Sequence, residues 1–165
     1  MLKSYYPVNL DVSGKKCLVV GGGAVAERKV KTLLDFGALV WVVAPRFSFK
    51  IKGVKFIRRK YRSGDLRNAV LAIAATDDDG LNRKIAAGAR AQKIPVNVID
   101  APKLCTFIAP SIIKRGPLVV SISTSGQAPA LAKALRLKLE KLITPQFGKL
   151  ALELGKIRRA KQCAS

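Results

Sequence analysis

Residues 17–30 read CLVVGGGAVAERKV. An apolar run stops at three glycines and then takes on helical spacing. The run with its flanks, residues 15–22, reads as a fully buried strand. A helix is expected from about Ala24 to Phe36, with Val25, Val30, Leu33 and Leu34 near helical spacing and Gly37 ending it. Strand, glycine turn and helix in that order commit the chain to a βα unit. The turn itself is Gly21-x-Gly23-x-x-Ala26, in the context a dinucleotide fingerprint requires. Gly21 permits the tight turn, Gly23 lets a pyrophosphate approach the backbone, and Ala26 lets helix and strand pack closely. Phosphates then meet free N–H groups at the helix N-terminus. A bare structural βα turn has the same outline.

The alternation continues. Strands are expected at ALVWVVAP (38–45), VKFIRRKY (54–61, polar enough for an edge), AVLAIAAT (69–76) and PVNVID (95–100), with a helix over 77–93. Buried strands alternating with helices imply parallel strands and crossover connections. The first 101 residues therefore read as a Rossmann-like, doubly wound α/β domain. In such sheets ligands sit at the carboxyl ends of the strands, which here are Gly21 to Gly23, Ala44 to Arg46, Ala75 to Asp77 with Thr76 among them, and Asp100.

Beyond Asp100 the pattern changes. CTFIAPSIIKRG and PLVVSIST read as two strands joined by a Gly-Pro turn, followed by a helix over 128–144, and Pro145 opens a last helix. The expected organisation is a nucleotide-binding domain over 1–101, a segment of two strands and a helix over 102–144, and a C-terminal helix over 145–165. Leu131, Leu135 and Leu139 form a stripe at i, i+4, i+8. A piece this small buries such a stripe poorly alone, and pairing with a second copy would cover it.

Composition narrows the chemistry. The 165 residues contain no histidine, so a Ser-His-Asp triad, a histidine zinc site and a histidine general base are excluded. Proton transfer falls to a carboxylate, Lys, Tyr or Cys. The net charge of +21 favours a polyanion such as nucleic acid, acidic lipid or a polycarboxylate metabolite. Cys17, Cys105 and Cys163 are far apart with no metal or redox spacing, and Cys17 reads as core. No secretory signal or membrane-length apolar run is present, which reads as a cytoplasmic protein.

Four stretches carry candidate chemistry. After the second strand, where an acid usually holds the ribose hydroxyls, stands Arg46; it could accept a 2′-phosphate or lie over the adenine, leaving NAD and NADP open. Asp77, Asp78 and Asp79 at a helix start read as caps rather than metal ligands. Asp100 closes an apolar strand at the expected nicotinamide position, with Pro102 fixing the exit, so it reads either as a partly desolvated base or as a turn residue. Ser123, Thr124, Ser125 and Gly126 form a hydroxyl-rich loop that could cap a helix or hold an acidic substrate group.

The stretches VVGGGAVAERKVKTLLDFGA, AIAATDDDGLN, VNVIDAPKLCTFIAPSII and STSGQAPALAKALR occur in that order. Together they resemble the precorrin-2 dehydrogenase/sirohydrochlorin ferrochelatase family, the dehydrogenase part of siroheme synthase. The resemblance covers residues 17 to about 140. It implies NAD-dependent oxidation of precorrin-2 to sirohydrochlorin, and in some members ferrous iron insertion to give siroheme. It implies a homodimer formed by the central segment. It assigns NAD contacts to Ala24, Val25, Pro45 and Arg46, and the catalytic role to Asp100. Thr124 falls where some bacterial members have a phosphorylatable Ser, and many members have a longer helical tail. Two other classes fit the charge and the turn: a nucleic-acid-binding module on a Rossmann-like core and a non-catalytic nucleotide-sensing domain. Basic residues spread along the whole chain are a weak signal for nucleic acid.

Overall fold

The computed structural model describes residues 4–162. The chain divides into two compact units, Tyr5–Ile108 and a second that begins at Ala109. The expected boundary at 101–103 falls short of this division. Residues 104–107 fold back on the last strand of the first unit, where the Thr106 N–H donates to the Val96 carbonyl at 2.8 Å and Asn97 Nδ2 donates to the Phe107 carbonyl at 3.2 Å.

The first unit is a five-stranded parallel sheet. Its strands are β1 (Lys16–Val20), β2 (Leu39–Ala44), β3 (Lys55–Arg58), β4 (Leu71–Ala74) and β5 (Val96–Val98), in the order β3-β2-β1-β4-β5. Order reverses at β1, the point at which doubly wound sheets bind ligands. Successive β1 residues serve opposite cores. Leu18 and Val20 pack with Ile85, Ala86 and Ala89 of helix α2 (Asp79–Ala91), while Cys17 and Val19 pack with Ala26, Val30 and Leu33 of helix α1 (Ala24–Asp35). Burial on both faces is why the strand reads as an unbroken apolar run. At Cys17 burial pushes the thiol pKa up to about 11, the behaviour of an inert core cysteine.

Both helices end in a Schellman motif. In α1, Gly37 adopts φ +76 and its N–H donates to Leu34 while the Ala38 N–H donates to Leu33. In α2 the left-handed position is Lys93, φ +55, with the equivalent bonds to Arg90 and Ala89. All the strands are shorter than expected, with β3 and β4 confined to Lys55–Arg58 and Leu71–Ala74. β5 stops at Val98 instead of running to Asp100. The strand expected over 105–116 is confined to β6 (Ser111–Arg115), because residues 104–107 are occupied against β5.

In the second unit, β6 pairs antiparallel with β7 (Leu118–Ile122) across the Gly116 turn, φ +58. Helices α3 (Pro129–Leu142) and α4 (Pro145–Gln162) pack on this hairpin. A Cβ at Gly148 of α4 would overlap the Arg115 carbonyl, so only glycine permits that approach. Arg115 Nε donates to the Ile143 carbonyl at 3.1 Å, and Arg136 pairs with Glu140 at 2.5 Å. Leu131 and Leu135 stay exposed, at 53% and 40%, while Leu139 is half-buried. Cys163 lies outside the described residues.

Candidate functional site

All five strands of the first sheet are parallel, so the segments after β1, β2, β4 and β5 meet at one edge. That edge collects Gly21 to Val25, Pro45 and Arg46, Thr76, and Asp100.

The glycines of the β1–α1 turn face different demands. Gly21 has φ +131, and a Cβ there would overlap the Ala75 carbonyl. At Gly22 a Cβ would overlap the Arg46 carbonyl and lie 3.1 Å from the Ala44 methyl. Hydrogen bonds lock these approaches. The Gly21 N–H donates to Val43 at 3.0 Å, and the Gly22 carbonyl accepts from the Ser48 N–H at 2.8 Å and the Ser48 hydroxyl at 3.0 Å. The sequence reading gave Gly21 the tight turn and Gly23 the approach of a pyrophosphate; the backbone also requires glycine at position 22. A Cβ at Gly23 would meet nothing within 4 Å. Protein packing asks nothing of position 23, whereas an approaching phosphate would. Gly23 is the N-cap of α1 and contributes no side-chain bond. The first helical bond runs from the Glu27 N–H to the Gly23 carbonyl, so the N–H groups of residues 24–26 have no acceptor within the helix. Ala24 and Val25 are exposed there. A helix N-terminus of this kind, with free N–H groups and no side chain over them, can accept an anion.

After β2, Pro45 and Arg46 are exposed, and the Arg46 guanidinium makes no hydrogen bond or ion pair among the described residues. Next to them Phe47 and Phe49 meet Phe56 edge-on, with ring centroids 4.9 and 5.6 Å apart. With Ser48, Lys50 and Arg58 these rings line an open pocket of about 560 Å³. Sequence reasoning missed this pocket because its walls form only when the loop after β2 folds against β3; the clustered phenylalanines of 47–56 were the available signal.

After β4, the Thr76 hydroxyl donates to Asn82 Oδ1 at 2.8 Å, and Asn82 Nδ2 returns a bond to the Thr76 carbonyl at 2.9 Å. The Asp78 carboxylate caps α2 by accepting from the Leu81 N–H at 2.9 Å. Among the described residues no cluster of metal-ligating side chains forms, the aspartates at 77–79 included.

Asp100 lies two residues past β5, in a turn, with φ +58, and its side chain is exposed. The expectation of a partly desolvated, strand-ending carboxylate is corrected on this point: the strand ends early because the chain must reverse toward Cys105. The turn is braced from both sides. Cys105 Sγ accepts from the Val98 N–H at 3.2 Å and donates to the Val98 carbonyl at 3.3 Å, and Arg90 Nη2 donates to the carbonyls of Lys103 and Leu104 at 3.1 and 3.0 Å. Cys105, read from sequence only as an unpaired thiol, is thus a buried clasp for the Asp100 turn. Lys29 of α1 is half-buried, and its ammonium pKa is pushed below the ordinary value by that burial first, then by Arg28, with Cys105 opposing.

Ser123, Thr124, Ser125 and Gly126 belong to the second unit. Thr124 organises this loop, its hydroxyl accepting from the Ala128 N–H at 3.0 Å, while Ser125 and Gly126 take φ +52 and +80. Ser123 and Gly126 are exposed.

Comparisons with known proteins agree with this geometry. Residues 8–111 match a family described as "Putative NAD(P)-binding", and residues 115–142 match "Sirohaem biosynthesis protein central". The siroheme synthase of Pseudomonas entomophila (strain L48) is 46% identical over 153 residues, covering 89% of this chain and 33% of that protein. The siroheme synthase of Methylobacillus flagellatus is 44% identical over 160 residues, covering 93% and 34%. The chain spans about a third of the length of the curated relatives it matches. The solved structure of SirC, a precorrin-2 dehydrogenase, superposes with a TM-score of 0.73 at 30% identity, covering 93% of this chain and 79% of that one.

Proposed function

The chain belongs to the NAD(P)-binding family of siroheme-biosynthesis dehydrogenases, and on that premise we propose that it oxidises precorrin-2 to sirohydrochlorin with NAD. The observation that carries the reading is the shared sheet edge. It joins an anion-receiving helix N-terminus at Gly23 to Val25 with a carboxylate at Asp100, held on a braced turn. The reaction removes a hydride and a proton from the substrate. NAD, when bound, supplies the hydride acceptor.

The protein's residues do the rest. The N–H groups of the α1 N-terminus and the bare Gly23 hold the pyrophosphate, with Ala24, Val25, Pro45, Arg46 and Thr76 lining the nucleotide's path. Asp100 takes the proton, a role no histidine competes for. Ser123, Thr124, Ser125 and Gly126 bind a substrate carboxylate, and the basic surface favours the polycarboxylate tetrapyrrole over neutral competitors. We assign the segment 102–144 to homodimerisation, which the exposed Leu131 and Leu135 support, and the protein to the cytoplasm. Among the described residues no helix is long and apolar enough to cross a membrane.

Ferrous iron insertion, giving siroheme, is the second activity proposed for the same site. Without histidine, a carboxylate there must take the pyrrole protons, and Asp100 is the one supplied. The test is an anaerobic assay of NADH formation from precorrin-2, with and without ferrous iron. NADH formation proportional to protein supports the dehydrogenase, and a siroheme spectrum appearing only with iron supports the chelatase. A folded protein that binds NAD but forms no NADH from precorrin-2 rules the dehydrogenase out.

A further inference from the structure

We propose that Arg90 and Cys105 are positioning residues of the reaction: they fix the backbone from which Asp100 presents its carboxylate, and turnover depends on both. The inference rests on the reading of Asp100 as the base and deepens it. The Asp100 side chain is exposed and makes no hydrogen bond or ion pair among the described residues. No neighbouring side chain therefore aims the carboxylate, and its direction is set by the main chain. That main chain is left-handed, φ +58, a conformation that residues other than glycine keep only where the surroundings over-determine it.

Within the turn, the Ala101 N–H reaches the Val98 carbonyl at 3.4 Å, a long bond, and the Leu104 N–H donates to the Ala101 carbonyl at 2.9 Å. Two side chains restrain it from either side. Cys105 is 2% exposed, and its thiol bridges the arms of the turn. Besides its exchange with Val98, the sulfur lies 3.5 Å from the Ala101 carbonyl and 3.6 Å from Asn97 Nδ2. Arg90 stands in the last turn of α2, and its bonds to the Lys103 and Leu104 carbonyls tie the exit from Asp100 to a helix packed on β4 and β5. Neither side chain bonds Asp100, so each acts on the carboxylate only through the main chain. A general base works within hydrogen-bond reach of the proton it takes. A misplacement of about 1 Å can cost on the order of 10²-fold in rate, and a loosened turn would let the carboxylate stray in this way.

The test measures kcat with precorrin-2 and affinity for NAD, anaerobically and on the whole chain, for Arg90→Met and Cys105→Ala. Each is made in the parent and in an Asp100→Asn background. Arg90→Met keeps an exposed apolar stem and removes the donors, so the fold should persist, checked by circular dichroism and thermal melting. Each variant should lower kcat about tenfold, the loss for a base that strays rather than one that is absent, with NAD affinity unchanged. In the Asp100→Asn background neither should cost anything further, since no base is left to aim. A merely structural role would lower both proteins alike. Arg90→Lys and Cys105→Ser, which keep a donor, should recover part of the rate. Either folded variant turning over at the parent kcat, in a protein that Asp100→Asn slows, would overturn the inference and leave the base reading intact. So would an equal loss in the Asp100→Asn background, or a loss of NAD affinity that matches the loss of turnover. If Cys105→Ala does not fold, the Arg90 variants decide alone. If Asp100→Asn keeps the parent turnover, the reading of Asp100 as the base fails and takes this inference with it.

Discussion

A left-handed backbone at Asp100, φ +58, means that an alanine substitution there would confound two effects. Alanine removes the carboxylate and also strains the turn, whereas Asn and Gly tolerate this conformation. Asp100→Asn and Asp100→Gly therefore isolate the chemistry. If the carboxylate is the base, both variants fold normally and bind NAD as before, yet lose about 10²–10⁴-fold in turnover, the usual worth of a positioned base. NADH formation under anaerobic conditions reads the loss. Should Asp100→Gly keep turnover within about threefold, far short of that range, Asp100 is a turn residue and the base is elsewhere. The sequence left these two roles open because chemistry and turn geometry both favour Asp at this position. The strand–turn–helix context of the glycines was read correctly, but the need for Gly22 was invisible: it arises from the Arg46 carbonyl, contributed by the loop after β2.

The strands and helices of the first unit were legible because each carries its own period, continuous apolar runs for β1, β2 and β4 and a helical stripe for α1 and α2. What sequence could not show is how the connections are tied. Between β3 and β4, Asp65 is nearly buried. It receives both guanidinium nitrogens of Arg59, at 2.5 and 2.8 Å, and the Arg62 N–H at 2.8 Å. Lys16 Nζ bonds the Asp65 and Arg67 carbonyls at 2.8 and 2.7 Å, which stitches this connection to β1. Arg59, the Arg62 N–H and Lys16 hold the Asp65 carboxyl below its ordinary pKa of 3.8, against the opposing effect of burial. A depressed native pKa stabilises the fold above the unfolded-state value and loses that contribution as pH falls through the native one. Asp65→Asn is therefore expected to cost about 2–4 kcal/mol at neutral pH, the range for removing one partner of a hydrogen-bonded charge pair. The gap between variant and parent should close as pH is lowered below 3.8, read by urea unfolding followed through Trp41 fluorescence. A gap that stays constant with pH would mean the Asp65 charge contributes nothing.

At the scale of the whole molecule, the charge of +21 and the exposed leucines pull in opposite directions. Two copies brought together through Leu131 and Leu135 gain apolar burial but meet mutual repulsion. Repulsion is screened by salt, with a Debye length of about 30 Å at 0.01 M and about 8 Å at 0.15 M, and apolar burial is not weakened by it. The proposed homodimer should tighten as salt rises over that range, while binding of a polycarboxylate substrate loosens. Sedimentation equilibrium and substrate titration in the same buffers should give slopes of opposite sign. A dimer that loosens with salt would be held by ion pairs instead of leucines. The exposed leucine face has a practical consequence as well. On the proposed homodimer, low ionic strength and high dilution would leave the leucines without their partner and facing water, and the expected result is adhesion to vessel walls, chromatography media and air–water interfaces. Activity is then expected to fall with handling rather than with heat, and a moderate-salt buffer to preserve it.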